Sequence, residues 1–201
     1  VKKEHLPINE DNRFHPASPY AISKVGTDLI ARFYHEAYKQ KILITRMFTH
    51  TGPRRGDVFA ESSFAKQIAM IENNLQEKKI YVGNLKSLRT FADVRDAVKA
   101  YLILVKKVNK YGEAYNIGGN FSCTIGEMLE KLISLSKVKD IKIIQDKDRM
   151  RPIDADLQIP DISKFQKATG WRPEYTFEQT MSDLLNYWRD KISSKNNFLN
   201  R

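Results

Sequence analysis

The chain has 201 residues, of which 41% are hydrophobic, and its formal net charge is +10. A chain of this size can bury a core and normally forms one domain, with room for a subdomain. No apolar run approaches the ~20 residues of a membrane span, and the first residues contain no signal-peptide core. These features predict a cytoplasmic protein that does not enter a membrane.

The basic charge does not by itself indicate a nucleic-acid partner. Lysines supply much of the excess, and they are spread along the chain, mostly where predicted surface helices end and the helix dipole favours cations. We expect an anionic small-molecule ligand rather than nucleic acid. The single cysteine, Cys123, excludes an intramolecular disulfide, and the four histidines lack metal-ligand spacing, so no metal site is predicted.

Taken in chain order, the predicted elements alternate between helices and short strands. Residues 1–17 contain helix-breaking residues and are predicted to be loop. A helix follows from Tyr20 to about Lys39, with apolar residues at helical spacing. The predicted strands are 42–48, 79–82, 114–119 and 141–144. The further helices are predicted at about 59–74, 124–135, 163–169 and 176–191, and another helix follows 91–96 and ends near 106. Residues 193–201 are predicted to be a frayed tail.

This alternation predicts an α/β fold. The β-branched run at 42–48 is typical of a strand buried in a parallel sheet. Thr124 and Glu127 form a capping-box pattern, and Gly170 is suited to end the helix before it. The last helix should turn one apolar face inward through Phe177, Met181, Leu184, Leu185 and Trp188.

Tyr20 and Lys24 are the first candidates for chemistry. A helix that begins near Pro19 places them one turn apart on one face. An ammonium beside a phenol stabilises the phenolate, so the phenol can act as general acid or base toward an alcohol or ketone. The spacing alone is weak evidence, because Tyr187 and Lys191 show it too. We interpret that second pair as a half-buried tyrosine beside a solvated lysine.

Several motifs occur in an order that chance would not supply: Ser-Pro-Tyr-Ala-Ile-Ser-Lys at 18–24, Phe-Thr-His-Thr-Gly-Pro-Arg-Arg-Gly at 48–56, Val-Gly-Asn-Leu at 82–85 with Ser-Leu-Arg at 87–89, Tyr-Asn-Ile-Gly at 115–118, Arg-Pro-Ile-Asp-Ala-Asp at 151–156 and Thr-Gly-Trp-Arg-Pro at 169–173. Together they resemble the C-terminal portion of extended short-chain dehydrogenase/reductases that act on nucleotide sugars. The similarity is greatest to the GDP-mannose 4,6-dehydratase group, and it covers about residues 1–192.

The resemblance implies the C-terminal part of a Rossmann-like parallel sheet with a small mixed α/β substrate-binding subdomain. Segments 1–58 and 90–120 would belong mainly to the cofactor domain, and segments 59–89 and 121–192 mainly to the substrate-binding part. The Gly-rich turn that cradles the cofactor pyrophosphate is absent from this sequence, as are the family's upstream catalytic residues. We therefore expect a chain that lacks the first half of the enzyme.

The implied activity is that of a nucleotide-sugar 4,6-dehydratase in deoxysugar synthesis for a surface polysaccharide. It would act on GDP-mannose or a related GDP-sugar, with NADP or alternatively NAD as cofactor. Tyr20 would take the proton of the sugar C4 hydroxyl, and Lys24 would favour the phenolate and bind the nicotinamide ribose. Two alternatives stay open: a 4-keto-sugar reductase or epimerase of the same superfamily, and a non-catalytic fragment that needs a partner for the cofactor site.

The resemblance assigns further cofactor contacts to the loop after strand 42–48. Phe48, His50 and Arg55 would lie near the cofactor together with Tyr20 and Lys24. Thr49 would face the sugar, although family members usually carry asparagine there. That difference leaves the identity of the sugar, mannose or a heptose, open.

The substrate diphosphate would be gripped by Lys66, Arg89 and Arg151, because arginine forks and an ammonium suit phosphate oxygens. The alternative for the two arginines is a structural ion pair with Asp93 or Asp154. Asp154 would contact a ribose hydroxyl or orient Arg151. Val82 and Asn84 would border the base, and the full-length enzyme is expected to be a homodimer or homotetramer.

Overall fold

The computed structural model describes residues 3–150 and 157–199. In chain order its helices and strands are α1 (Pro19–Tyr38), β1 (Ile44–Met47), β2 (His50–Thr51), α2 (Ala60–Glu72), β3 (Lys79–Val82), β4 (Leu88–Asp93), α3 (Val94–Lys107), β5 (Ala114–Ile117), β6 (Phe121–Thr124), α4 (Ile125–Ser134), β7 (Lys142–Gln145), β8 (Leu157–Gln158), α5 (Ser163–Thr169) and α6 (Phe177–Leu199). Two 3-10 turns, Lys3–His5 and Lys147–Arg149, complete the described elements.

The chain divides into two compact units. The first unit contains residues 1–50, 88–122 and 153–174, and the second unit contains residues 51–87, 123–152 and 175–201. Each unit combines helices with at least one parallel strand pair, which confirms the predicted α/β class. The assignment of cofactor binding and substrate binding to separate parts of the chain stays a prediction.

In the first unit, β1 and β5 pair in parallel, with Ile44 opposite Ala114 and Met47 opposite Ile117. β4 pairs in parallel with β8 and lies between β2 and β6. The boundaries between the two units fall within β2, after His50, and within β6, after Ser122. Apolar residues in or just after α3, β5 and α5 form the core beside β1 and β5. This core consists of Ala100, Leu104, Val108, Tyr115, Ile117, Phe165 and Trp171.

In the second unit, β3 and β7 pair in parallel and α2 packs against α4 and α6. The inward face predicted for the last helix is confirmed, because Met181, Leu184 and Leu185 are fully buried. Trp188 is also buried, and its indole N–H donates a 2.8 Å hydrogen bond to Ser62 Oγ.

Local capping chemistry sets several helix ends where they were predicted. Ser18 caps α1, and Pro19 is its first residue, a position where the missing N–H costs nothing. Thr124 and Glu127 form the predicted capping box of α4. Gly170 ends α5 at φ 72, a conformation that glycine adopts without strain.

The structure differs from the sequence prediction in three places. α6 continues to Leu199 instead of fraying from residue 193. The short strands β2, β4, β6 and β8 were not predicted, because each is defined by its partner rather than by its own periodicity. The apolar periodicity of α1 is present, but four of the apolar residues at helical spacing are more than half exposed in the described structure: Ile22, Leu29, Ile30 and Phe33.

None of the helices in the described ranges is both long and apolar enough to cross a membrane.

Candidate active site

The candidate pair Tyr20 and Lys24 lies at the N-terminal end of α1. Ser18 Oγ accepts a 3.1 Å hydrogen bond from the Ala21 amide, which sets the first turn so that Tyr20 is its second residue. Tyr20 is 71% exposed, and Lys24 Nζ lies 5.5 Å from the centroid of its ring. The structure therefore confirms that the two groups share one face, with the phenol accessible to a ligand.

The second pair, Tyr187 and Lys191, has the same geometry. Lys191 Nζ lies 5.5 Å from the Tyr187 ring centroid and 3.5 Å from its hydroxyl. Tyr187 also makes an edge contact with the ring of Trp188, at a centroid distance of 5.7 Å. The pair distance therefore does not distinguish a catalytic pair from a structural one, and the surrounding motifs must do so.

A buried ion-pair cluster, which sequence reasoning missed, ties α1 to β1. The Asp28 carboxylate is 7% exposed and accepts hydrogen bonds from Arg46 Nε at 2.8 Å and Arg32 Nε at 2.9 Å. Burial alone would raise the pKa of Asp28, but these hydrogen bonds hold it below its ordinary value. Only the Asp28–Arg32 spacing was visible in the sequence. The cluster fixes the helix that carries Tyr20.

The loop before α1 is held by the ends of the same strands. Arg46 Nη1 donates to the Glu10 carbonyl at 2.6 Å, and Glu10 Oε1 accepts from the Asn116 amide at 2.7 Å. The Asn116 side-chain amide donates to the Ile8 carbonyl at 2.8 Å. Residues 8–10, predicted only as loop, are therefore anchored to β1 and β5.

Phe48, Thr49 and His50 follow the carboxyl end of β1, as predicted. The Phe48 amide donates to the Ile117 carbonyl at 2.8 Å, and the Thr49 carbonyl accepts from the Ala92 amide at 2.9 Å. His50 Nδ1 lies 3.2 Å from the Phe48 carbonyl. These contacts fix the backbone of the loop, while the cofactor and sugar roles of the three side chains stay predictions.

Arg55 is engaged within the second unit. Its guanidinium lies 3.4 Å from the Phe59 ring centroid and 3.2 Å from the Glu61 carboxylate, which is 5% exposed. Its carbonyl accepts a 2.7 Å hydrogen bond from Ser62 Oγ. The preceding Arg54 has φ 73, which is uncommon for a residue with a side chain. The paired arginines thus belong to a tightly defined loop, and a cofactor role for Arg55 stays a prediction.

Lys66 lies in α2 and forms a 2.6 Å ion pair with Asp57. One turn earlier on the same helix, Ser63 Oγ accepts from Arg149 Nη1 at 3.3 Å. Lys66 and Arg149 are therefore two cations associated with one face of α2. Sequence reasoning missed Arg149, whose only signal was its place two residues before the candidate Arg151.

Val82 is buried at the end of β3, and Gly83 follows it. A Cβ on Gly83 would stand 2.5 Å from the Arg149 carbonyl oxygen, so the glycine is required by a close backbone approach. Asn84 forms a turn, with its side chain donating to Ser87 Oγ at 3.0 Å and accepting from the Lys86 amide at 2.9 Å. The proposed contact of Val82 and Asn84 with the base stays a prediction.

Arg89 lies in β4, opposite Gln158 of β8. Asp93, one of the two alternative ion-pair partners, accepts hydrogen bonds of 2.8 and 2.7 Å from the Arg95 guanidinium and caps α3. Arg151 and Asp154 lie outside the described residues.

Cys123 is buried as expected. Burial and, to a lesser degree, the charge of Glu127 raise the pKa of its thiol to about 12, which makes it a poor nucleophile. Within the described ranges, no three His, Cys, Asp or Glu side chains gather in a way that suits a metal ion.

An α/β fold with an exposed tyrosine and a lysine one turn apart, on the helix before a parallel strand, is typical of short-chain dehydrogenase/reductases. The chain matches the family model described as GDP-mannose 4,6 dehydratase over residues 2–184. The chain therefore belongs to the GDP-mannose 4,6-dehydratase family.

Two relatives and one solved structure place the chain within this family. It is 32% identical over 192 residues to the GDP-6-deoxy-D-mannose reductase of Pseudomonas aeruginosa, covering 96% of this chain and 62% of the relative. It is 26% identical over 208 residues to the GDP-mannose 4,6-dehydratase of Yersinia enterocolitica, covering 90% of this chain and 56% of the relative. The structure of RMD from Pseudomonas aeruginosa complexed with NADPH matches with a TM-score of 0.87 at 32% identity, covering 95% of this chain and 63% of that chain. The chain thus spans less than two thirds of each of these proteins.

Proposed function

We propose that the protein is a nicotinamide-dependent enzyme that changes the oxidation state of C4 in a GDP-linked hexose. The observation that carries this proposal is the exposed Tyr20 with the Lys24 ammonium beside its ring, in a chain of the GDP-mannose 4,6-dehydratase family. The similarity to a reductase and to a dehydratase that are both named for GDP-sugars supports the substrate class. We also propose that the reaction takes place in the cytoplasm.

A nicotinamide cofactor, when bound, would supply the hydride chemistry at C4. The Tyr20 hydroxyl takes the proton of the C4 hydroxyl when the alcohol is oxidised and gives a proton to the C4 oxygen when the ketone is reduced. The Lys24 ammonium lies 5.5 Å from the centroid of the Tyr20 ring and would bind the nicotinamide ribose. The residues fit this role because both side chains are exposed at the start of α1. NADP is the first choice of cofactor, since the similar RMD structure is complexed with NADPH, and NAD is the alternative.

Within this chemistry we favour reduction of a 4-keto-sugar. The reductase of Pseudomonas aeruginosa is more similar than the dehydratase of Yersinia enterocolitica, at 32% against 26% identity. The 4,6-dehydratase reaction is the second candidate, and the match to the dehydratase family model favours it. In that reaction hydride is taken from C4, water leaves across C5 and C6, and the hydride returns to C6.

The two reactions differ in net cofactor use, and this difference provides the test. The full-length protein is supplied with NADPH and GDP-4-keto-6-deoxymannose in one assay, and with GDP-mannose in another. A reductase consumes NADPH in step with sugar reduction, whereas a dehydratase converts GDP-mannose to the 4-keto sugar without net consumption. Loss of absorbance by NADPH together with chromatography of the sugar nucleotides measures both. No turnover in either assay and no binding of GDP would refute the proposed function.

The open edge of β1 favours a third candidate, for the 201-residue chain taken alone: a segment that needs a partner to complete the cofactor site. Among the described residues β1 pairs with β5, and its other edge has no strand beside it. Such an edge is a template for a further strand. The test is titration of the isolated chain with NADPH, with circular dichroism to monitor folding. Tight NADPH binding by this chain alone would contradict the need for a partner.

We also propose that the full-length enzyme is a homodimer or homotetramer. The exposed residues Ile22, Leu29, Ile30 and Phe33 of α1 support this, because an apolar face of this kind gains free energy when a second copy covers it. Phe33→Glu should lower the molar mass measured by light scattering after gel filtration. An unchanged mass would place the contact between copies elsewhere.

A further inference from the structure

The Lys66 ammonium, which the family resemblance predicts to bind the substrate diphosphate, forms an ion pair with a carboxylate of the protein itself. Asp57 Oδ2 lies 2.6 Å from Lys66 Nζ, and the two side chains are 45% and 36% exposed. Asp57 belongs to the loop that precedes α2, and Lys66 lies in α2, nine residues later. A carboxylate thus already occupies one donor of the Lys66 ammonium.

Asp57 lies among cations of two helices. The hydrogen bond and charge of Lys66 are the main causes that lower the pKa of Asp57, and the charge of Lys191 in α6 adds to them. The ammonium groups of Lys66 and Lys191 lie 5.6 and 4.6 Å from the ring centroid of Trp188. The position of the Asp57 carboxylate is therefore one at which two lysines favour negative charge.

Arg149 brings a third cation to the same face of α2, through its 3.3 Å hydrogen bond to Ser63. Its own carboxylate partner, Asp146, also caps the 3-10 turn Lys147–Arg149, so that carboxylate has a structural role. Asp57 differs, because its exposed carboxylate lies in a loop and pairs with a lysine side chain. An anion with several oxygens can replace Asp57 at Lys66 without disturbing a helix cap.

We propose that Asp57 is an internal competitor for the anion site at Lys66, displaced by the diphosphate of the GDP-sugar when substrate binds. This inference rests on the proposed function, which supplies the GDP-sugar, and on the predicted role of Lys66 as a ligand of its diphosphate. A diphosphate carries more charge and more acceptor oxygens than one carboxylate, so it can displace Asp57 from the ammonium. The exchange lowers the affinity for substrate and for nucleotide product alike, which favours product release.

The test is calorimetric titration of the full-length protein with GDP as the probe. Asp57→Asn keeps the shape of the side chain and removes its charge. It should tighten GDP binding by about two- to fivefold, the range that corresponds to release of one exposed ion pair. Glu77→Gln is the matched control. It makes the same change in net charge and removes a Lys–Glu pair of the same 2.6 Å length, at Lys79, and it should leave GDP affinity unchanged.

A double-mutant cycle tests whether the tighter GDP binding depends on Lys66. In a Lys66→Met background, Asp57→Asn should no longer tighten GDP binding, because no ammonium remains to be released. The inference is overturned if Asp57→Asn leaves GDP affinity unchanged or weaker, if Glu77→Gln tightens it equally, or if the gain persists without Lys66. In each of these cases the wild type still binds GDP and the proposed function stands. Absence of GDP binding by the wild type refutes the proposed function, and this inference with it.

Discussion

Replacing Arg189 with Met should destabilise the second unit, because it leaves a buried carboxylate without its cation. Glu72 is 5% exposed and accepts two hydrogen bonds of 2.7 Å from Nε and Nη2 of Arg189. The same guanidinium donates to the Leu135 carbonyl at 2.9 Å. One side chain of α6 thus joins α2 to the end of α4.

The loss in the free energy of unfolding depends on the hydrogen bonds that Glu72 keeps after Arg189 is replaced. Removing one partner of a buried ion pair costs about 3–5 kcal/mol. Arg189 is itself 20% exposed, and Glu72 retains hydrogen bonds from the Lys137 amide at 2.9 Å and the Ser136 hydroxyl at 3.3 Å. We therefore expect the lower end of that range, about 3 kcal/mol in the free energy of unfolding at neutral pH.

The effect should depend on pH. Burial alone would raise the pKa of Glu72, but the hydrogen bonds from Arg189 and from the Lys137 amide hold it below its ordinary value. A carboxylate with a lowered pKa in the folded state stabilises the fold above its unfolded pKa, and this contribution is lost as the pH falls through the folded pKa. In the variant, burial without the cation raises the pKa of Glu72, so the carboxyl is protonated at acidic pH. The loss of stability should therefore shrink on acidification.

Urea unfolding of the full-length protein, followed by circular dichroism at neutral and at acidic pH, measures both quantities. Lys79→Met is the control, because Lys79 and Glu77 form an ion pair of 2.6 Å in which both side chains are exposed. Its free energy of unfolding should stay close to that of the wild type. The reasoning fails if Arg189→Met costs no more than this control, or if its cost is the same at both pH values.

Further predictions concern the candidate site and its supports. Tyr20→Phe should lower turnover by about 10²–10⁴-fold with GDP binding nearly intact. Tyr187→Phe is the control and should keep the turnover of the wild type. Comparable activity of the two variants in the NADPH assay would rule out the role of Tyr20. Arg151→Ala should weaken GDP-sugar binding by about 1–3 kcal/mol, and an unchanged Kd would make this arginine structural. Gly119→Ala should destabilise by about 3 kcal/mol, because its Cβ would overlap a backbone carbonyl oxygen that cannot move aside. Gly26→Ala has open space and should stabilise α1 by about 0.5–1 kcal/mol; urea unfolding that shows no difference between the two glycine variants would contradict both expectations.

Much of the fold was predictable because its signals are local. The start of α1 at Pro19, the capping box at Thr124 and the end of α5 at Gly170 each depend on residues within one helical turn. The spacing of Tyr20 and Lys24 is local in the same sense, so their shared face was predictable as well. The exposure of the α1 apolar face was not, because periodicity shows which residues share a face but not what covers it.

The amino-acid sequence by itself determined the α/β class, most helix and strand positions, the tyrosine–lysine pair and the family to which the motifs belong. Only the tertiary structure showed that Asp28 and Arg46 tie α1 to β1, that Asp57 holds Lys66, and that Arg149 reaches the same face of α2. These partners are far enough apart in the chain that no helical or strand period relates them. They meet because the fold brings distant segments together, and burial and charge then decide which groups pair.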